Sequence, residues 1–330
     1  MRLLFAFPSS SDVSINAARS FPSGGTERSV AFVADALESL GHEVTIWWDK
    51  GKQPDWSGFD VIVTQHAQYF ANVPDETARV WWLHHFCDQP IVTEHGGFAR
   101  AFADAVVCLS ETSRANVRRV LKMEPSIIPH GVDLARVSKL DTIPGRLLYC
   151  SAPFRGLEQV LEDYPLIKAA HPHASLVVAG TMRMYGQDEQ DRQFKPLYDA
   201  LAALPDVHLL GPLNQAQLFD EMAKAEVFYY PCKWPETYCM ALDEAIAHGC
   251  IPITTGLAAL GERVKTGYNP VSDCIDALSH GMRSDWAMRQ PLDWADIGRM
   301  WNALICHTVD DRQGRGKDLA ALPSCCSAVC

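Results

Sequence analysis

"PETYCMALDEAIAHGC" (residues 235–250) sets two glutamates, Glu236 and Glu244, eight positions apart. One apolar run, "EVFYYP" (226–231), leads into it and another, "CIPITT" (250–255), leads out, so the stretch reads as strand, loop, helix, strand. Glu236 then lies in the loop, and Glu244 about a turn into the helix. A helix opens with unpaired backbone N–H groups and the positive end of its dipole, which suits a phosphate. Two carboxylates beside an anion site make sense if they accept hydrogen bonds from hydroxyls attached to that anion.

Outward from this stretch, short apolar runs alternate with amphipathic segments. The N-terminal part holds "LLFAF" (3–7), the helical "ERSVAFVADALESLGH" (27–42), "EVTIWW" (43–48), "DVIVT" (60–64), "RVWWL" (79–83) and "AVVCL" (105–109). That rhythm predicts parallel strands with crossover helices. It pauses at "IIPHGVDLARVSKLDTIPGR" (127–146) and restarts with "LLYCS" (147–151), a helix at 156–170, "SLVVAG" (175–180), "VHLLG" (207–211), a helix at 215–225 and the strand of the opening stretch. The expected fold class is α/β: two Rossmann-like domains whose parallel sheets face a central cleft. The expected boundaries are an N-terminal domain over residues 1–140, a C-terminal domain over 141–290, a helix over 291–308 and an unstructured tail over 309–330. Trp294, Ile297, Met300, Trp301 and Leu304 fall near one face of that last helix, whereas the tail shows no sustained pattern.

Composition narrows the function. A chain of 330 residues, 48% hydrophobic, can bury a large core. A net charge of −11 with no basic stretch argues against nucleic acid as a partner. The eleven cysteines contain no C-x-x-C pair and mostly sit in apolar runs, which reads as reduced core thiols and a cytoplasmic setting. "MRLLFAF" meets Pro8 too soon for a signal segment and reads as a first strand. No apolar run is long enough to span a membrane, although nothing forbids peripheral contact with one.

Ligands of paired Rossmann-like domains lie where the carboxyl ends of the strands face each other. The first loop facing that space contains Gly24 and Gly25 before Thr26 and Glu27, where backbone can approach a ligand closely or simply turn. No G-x-G-x-x-G follows the first strand, which disfavours a nicotinamide cofactor. In "YCSAPFRGLEQVL" (149–161), Arg155 sits at a strand-to-helix junction, placed to clamp a diphosphate together with helix amides. His84 and His85 follow a buried-looking strand and point toward the cleft, whereas His171 and His173 fall in a surface turn. The absence of a D-x-D pair gives no indication of a metal on the diphosphate, and no cofactor is expected.

Taken together, "PETYCMALDEAIAHGCIPITT", "SFPSGGTERSV", "WWLHH", "IIPHGVD" and "SAPFRGLEQVL" resemble, in that family's order, the retaining glycosyltransferases of family 4, which have the GT-B fold. The resemblance covers about residues 1–306. It implies that Glu236 holds hydroxyls of a donor sugar, that Glu244 binds the nucleotide ribose, and that amides around Thr237, Tyr238, Cys239 and Met240 meet sugar and phosphates. It also implies that His84, or His85 beside it, meets the transferring sugar. The chain departs from the family at three places. Ser151 and Arg155 stand where an arginine and a lysine are common, His130 replaces an asparagine, and Cys239 replaces a glycine at the helix start. The implied substrates are a nucleotide diphosphate sugar and an unidentified acceptor. An epimerase of the same fold, or a protein that only binds nucleotide sugars, would share this pattern.

Overall fold

A computed structural model describes residues 1–8, 13–49, 51, 53–182, 188–265 and 269–314. Two parallel sheets dominate it. The first has the order β2-β1-β3-β4-β5-β6, from strands β1 (Arg2–Pro8), β2 (Glu43–Asp49), β3 (Val61–Thr64), β4 (Ala78–Trp82), β5 (Ala105–Cys108) and β6 (Ser126–Ile127). The second has the order β11-β10-β7-β8-β9, from β7 (Ile143–Tyr149), β8 (Ser175–Val178), β9 (Val207–Leu209), β10 (Ala225–Tyr230) and β11 (Ile251–Thr254). Every apolar run expected to form a strand does so, and the pause falls between the sheets.

Alternation along the central strands feeds two cores at once. Leu3, Phe5 and Phe7 of β1 and Trp82 of β4 pack on one face of the first sheet, whereas Leu4, Ala6 and Trp81 pack on the other. A strand buried on both faces can be apolar throughout, which is why "RVWWL" shows no polar alternation. Arg79 is the exception in that strand, and its buried guanidinium donates to the Val73 carbonyl at 2.8 Å.

The helix Trp294–Arg312 lies in the core of the first half. Trp294 stacks on Phe32 with ring centroids 5.1 Å apart, and Trp301 meets Trp82 at 4.7 Å and Phe5 at 6.1 Å. A Cβ on Gly298 would come within 2.6 Å of the Ala36 Cβ, so the two helices approach closely only because that position is glycine. The expected end at residue 308 is corrected. The helix runs to Arg312, whose guanidinium bonds the Asp75 carbonyl and the Asp104 carboxylate of the first half. The rest of the expected tail, 315–330, lies outside the described residues.

The halves are joined by polar contacts as well. The Glu262 carboxylate accepts from the backbone N–H of Glu111 at 2.9 Å and of Thr112 at 2.6 Å, capping the helix Glu111–Leu121 from the opposite domain. Thr237 Oγ1 donates to the His84 carbonyl at 3.0 Å. Among the described residues no helix is long and apolar enough to cross a membrane. Cys87, Cys108, Cys150, Cys232, Cys250 and Cys274 are buried free thiols, as expected for core cysteines.

Candidate active site

Both sheets present the carboxyl ends of their strands to one cleft of about 480 Å³, a volume in the usual range for small-molecule sites. Ser151 and Arg155 reach it just beyond β7, and Glu236 reaches it from the loop after β10. β7 and β10 are neighbours in the sheet whose connections run in opposite directions, the switch point where open α/β sheets hold ligands. From the first half come Gly25, the β4 end with His84 and His85, and His130. Of the site residues expected from sequence, Gly24 alone does not line the cleft; it is the N-cap of the helix Gly25–Ser39.

Glu236 is 6% exposed, and its Oε1 accepts from the Tyr230 hydroxyl at 2.6 Å and pairs with the Arg155 guanidinium. Glu244, at 1% exposure, sits in the helix Met240–Ala247 and pairs with Arg28 of the opposite domain. Its second oxygen, Oε2, is buried without a hydrogen-bond partner, and so is Arg28 Nε. The sequence singled out Arg155 as a cation of the cleft but not Arg28, which lines it too. A signal was available: Arg28 is in the first turn of its helix, where the dipole disfavours a cation unless a carboxylate elsewhere holds it.

The loop before helix 240–247 is held from both sides. The Tyr238 hydroxyl bonds the Asp243 carboxylate and lies 3.1 Å from the His130 carbonyl oxygen, and Asp243 is in turn bound by the buried Arg263. Burial pushes the Asp243 carboxyl up, against the pull of Arg263. Cys239 adopts φ 84° and ψ 82°, a left-handed conformation that favours glycine. A Cβ on Gly25 would still clear the Met240 Sδ at 3.7 Å, so the glycine turn rests against the start of the helix with ordinary contact.

The imidazoles form a second cluster. His84 and His130 stack with centroids 5.6 Å apart and planes 15° apart. Burial, followed by the neighbouring His130, holds His84 well below the usual histidine value; burial and Arg28 hold His130 at about 3. Both rings are therefore neutral near pH 7. The Ser29 hydroxyl donates to the Thr26 carbonyl at 2.8 Å, so His84 Nε2, at 3.3 Å from Ser29 Oγ, is the donor of that pair. The His84 Nδ1 lone pair is left without a partner. His85 is more open and is also pushed down, by burial and then by Arg155.

Residues 150–279 match the family model described as glycosyl transferases group 1. No curated protein matches the chain. Among solved structures, AviGT4, a glycosyltransferase involved in avilamycin A biosynthesis, is similar at 17% identity and a TM-score of 0.62, over 93% of this chain and 98% of that one. Sucrose-phosphate synthase from Thermosynechococcus elongatus is similar at 15% identity and a TM-score of 0.64, over 94% and 98%. Anabaena Alr3699/HepE, solved with UDP and glucose, is similar at 14% identity and a TM-score of 0.61, over 92% and 99%. At these identities the likeness is one of fold. The chain has the fold of the GT-B glycosyltransferases, and its residues 150–279 match the family model of the glycosyl transferases group 1.

Proposed function

We propose that this chain is a retaining, metal-independent glycosyltransferase that moves a hexose-type sugar from a nucleotide diphosphate sugar to a glycan, lipid or small-molecule acceptor. The observation that carries the reading is the pair of cleft-lining glutamates, each matched to a guanidinium, on either side of the N-terminus of helix 240–247. In this reading Glu236 accepts from hydroxyls of the donor sugar and Glu244 from the ribose. Arg155 and the amides at Thr237 to Met240 stabilise the charge growing on the departing diphosphate. The cleft holds both substrates in register, and the leaving phosphate guides the acceptor to the face it vacates, so the configuration at the anomeric carbon is kept. A neutral His84 or His85 meets the transferring sugar. The C-terminal domain holds the donor and the N-terminal domain the acceptor, in a cytoplasmic setting that suits buried free thiols. That HepE was solved with UDP and glucose supports a nucleotide donor.

The test is incubation with a panel of nucleotide sugars, following nucleotide release with and without crude glycan or lipid acceptors. Release that depends on acceptor supports the reading. Sugar isomerisation without transfer would replace it with an epimerase, and saturable binding with neither would leave a binding protein.

A further inference from the structure

Among the described residues lining the cleft, only Arg28 and Arg155 carry a permanent positive charge, and they come from opposite domains. Arg155 belongs to the turn beyond β7. Arg28 stands on the helix Gly25–Ser39 and crosses the cleft to Glu244. Cys150 and Ser151 line the same cleft, and the Ser151 hydroxyl lies 3.4 Å from that of Tyr230.

The Arg28–Glu244 pair is incompletely made. Its side chains are 12% and 2% exposed, so both ions have given up most of their water. The structure gives them one contact, from Nη2 to Oε1, and leaves Arg28 Nε and Glu244 Oε2 buried with no partner. A buried ion pair offsets its desolvation only when the remaining donors and acceptors are also satisfied. The two open valences call for a ligand that offers an anionic acceptor to the guanidinium and a hydroxyl donor to the carboxylate. The diphosphate and ribose of a nucleotide carry those groups next to each other.

We propose that Arg28 is a donor-binding residue, exchanging Glu244 for the diphosphate of the nucleotide when the ribose hydroxyls occupy Glu244. This rests on the assignment of the cleft to a nucleotide diphosphate sugar. The guanidinium keeps a charge-assisted partner throughout, and so does the carboxylate, so no bare buried ion forms during the exchange. Since Arg28 belongs to the first half, the phosphates then tie the two domains together, and donor binding and cleft closure become one event.

Calorimetric titration of wild type, Arg28→Ala and Arg28→Lys with UDP, ADP and GDP and with the matching nucleosides tests this. For the base that wild type prefers, Arg28→Ala should lose roughly ten- to a hundredfold in affinity for the diphosphate but stay within about threefold for the nucleoside. Arg28→Lys should recover part of the diphosphate affinity. Equal loss for diphosphate and nucleoside would mean that Arg28 only braces Glu244, and no loss for either would remove it from the site; both outcomes overturn the proposal. If Arg28→Ala does not fold, Arg28→Lys alone reads the same ratio. If wild type binds none of the three diphosphates, the assignment of the cleft itself has failed, a result distinct from the other two.

Discussion

Arg155→Ala separates a structural from a catalytic role for the cation beside Glu236. The substitution removes the guanidinium from Glu236 Oε1 but leaves the Tyr230 hydroxyl at 2.6 Å and the Cys232 thiol at 3.9 Å. Breaking a fully buried pair costs about 3–5 kcal/mol. The Arg155 side chain is 25% exposed and Glu236 keeps a hydroxyl donor, so the loss of folding stability should be nearer about 1–3 kcal/mol. Against a stability of about 5–15 kcal/mol this leaves the chain folded, and a fall in turnover cannot then be unfolding. Removing one preorganised donor to a developing oxyanion lowers turnover by about 10²–10³-fold. Steady-state kinetics on the donor identified by the nucleotide-sugar panel, with urea unfolding in parallel, measures both. The expected result is a large fall in kcat with little change in donor KM, and partial recovery in Arg155→Lys, which keeps the charge but not the forked geometry. Turnover of Arg155→Ala within a fewfold of wild type would show that the leaving charge is met elsewhere.

Further expectations concern the second glutamate, acid, the last helix and metal. Glu244→Ala should weaken nucleotide binding roughly ten- to a hundredfold, read by calorimetry, because it removes a charged acceptor from the ribose; unchanged affinity refutes the assignment. His84 and His130 are held below their ordinary value in the fold, so their stability contribution is full above about pH 6.5 and is lost as pH falls toward their folded values, that of His130 at about 3. Each should steepen the acid limb of a stability profile by up to about 1.4 kcal/mol per pH unit, and His130→Asn should flatten it. Trp301→Ala should cost about 3–5 kcal/mol in urea unfolding, since the side chain is fully buried against Phe5 and Trp82, whereas a chain ending at Gly314 should keep its melting transition. Turnover should survive EDTA if guanidinium groups and helix amides meet the diphosphate charge; loss on chelation and rescue by magnesium or manganese would contradict this.

The features legible from sequence were those whose physics is local. Glu236 and Glu244 could be placed because the strand before them and the small-residue helix after them are read from neighbouring residues. The strands themselves were legible as apolar runs that only a sheet buried on both sides can use, whereas their order in each sheet came from the structure. Arg28 was missed because its partner is 216 positions away and the pairing exists only once two domains close. The end of the last helix was set too early for a similar reason. Asp310, Asp311 and Arg312 carry no apolar signal, and their turn is held by Asp75 and Asp104 from the far end of the chain. Cys239 could be flagged as a departure from glycine, but its left-handed backbone becomes visible only with the loop in place.

The return of helix 294–312 to the first half has a consequence for how the protein is made. Phe5, Phe32 and Trp82 leave the ribosome more than two hundred residues before Trp294 and Trp301, which cover them. The second half can complete its own core in sequence order, whereas the first must wait, with an apolar face uncovered, until the helix Trp294–Arg312 has been made. A chain stalled or cleaved before residue 294 would therefore keep the core of its second domain and still be a substrate for chaperones and proteases. For the same reason, a hybrid that exchanges the second halves between relatives needs two junctions, one in the segment between Ile127 and Ile143 and one just before Asp293, so that the closing helix stays with the domain it completes.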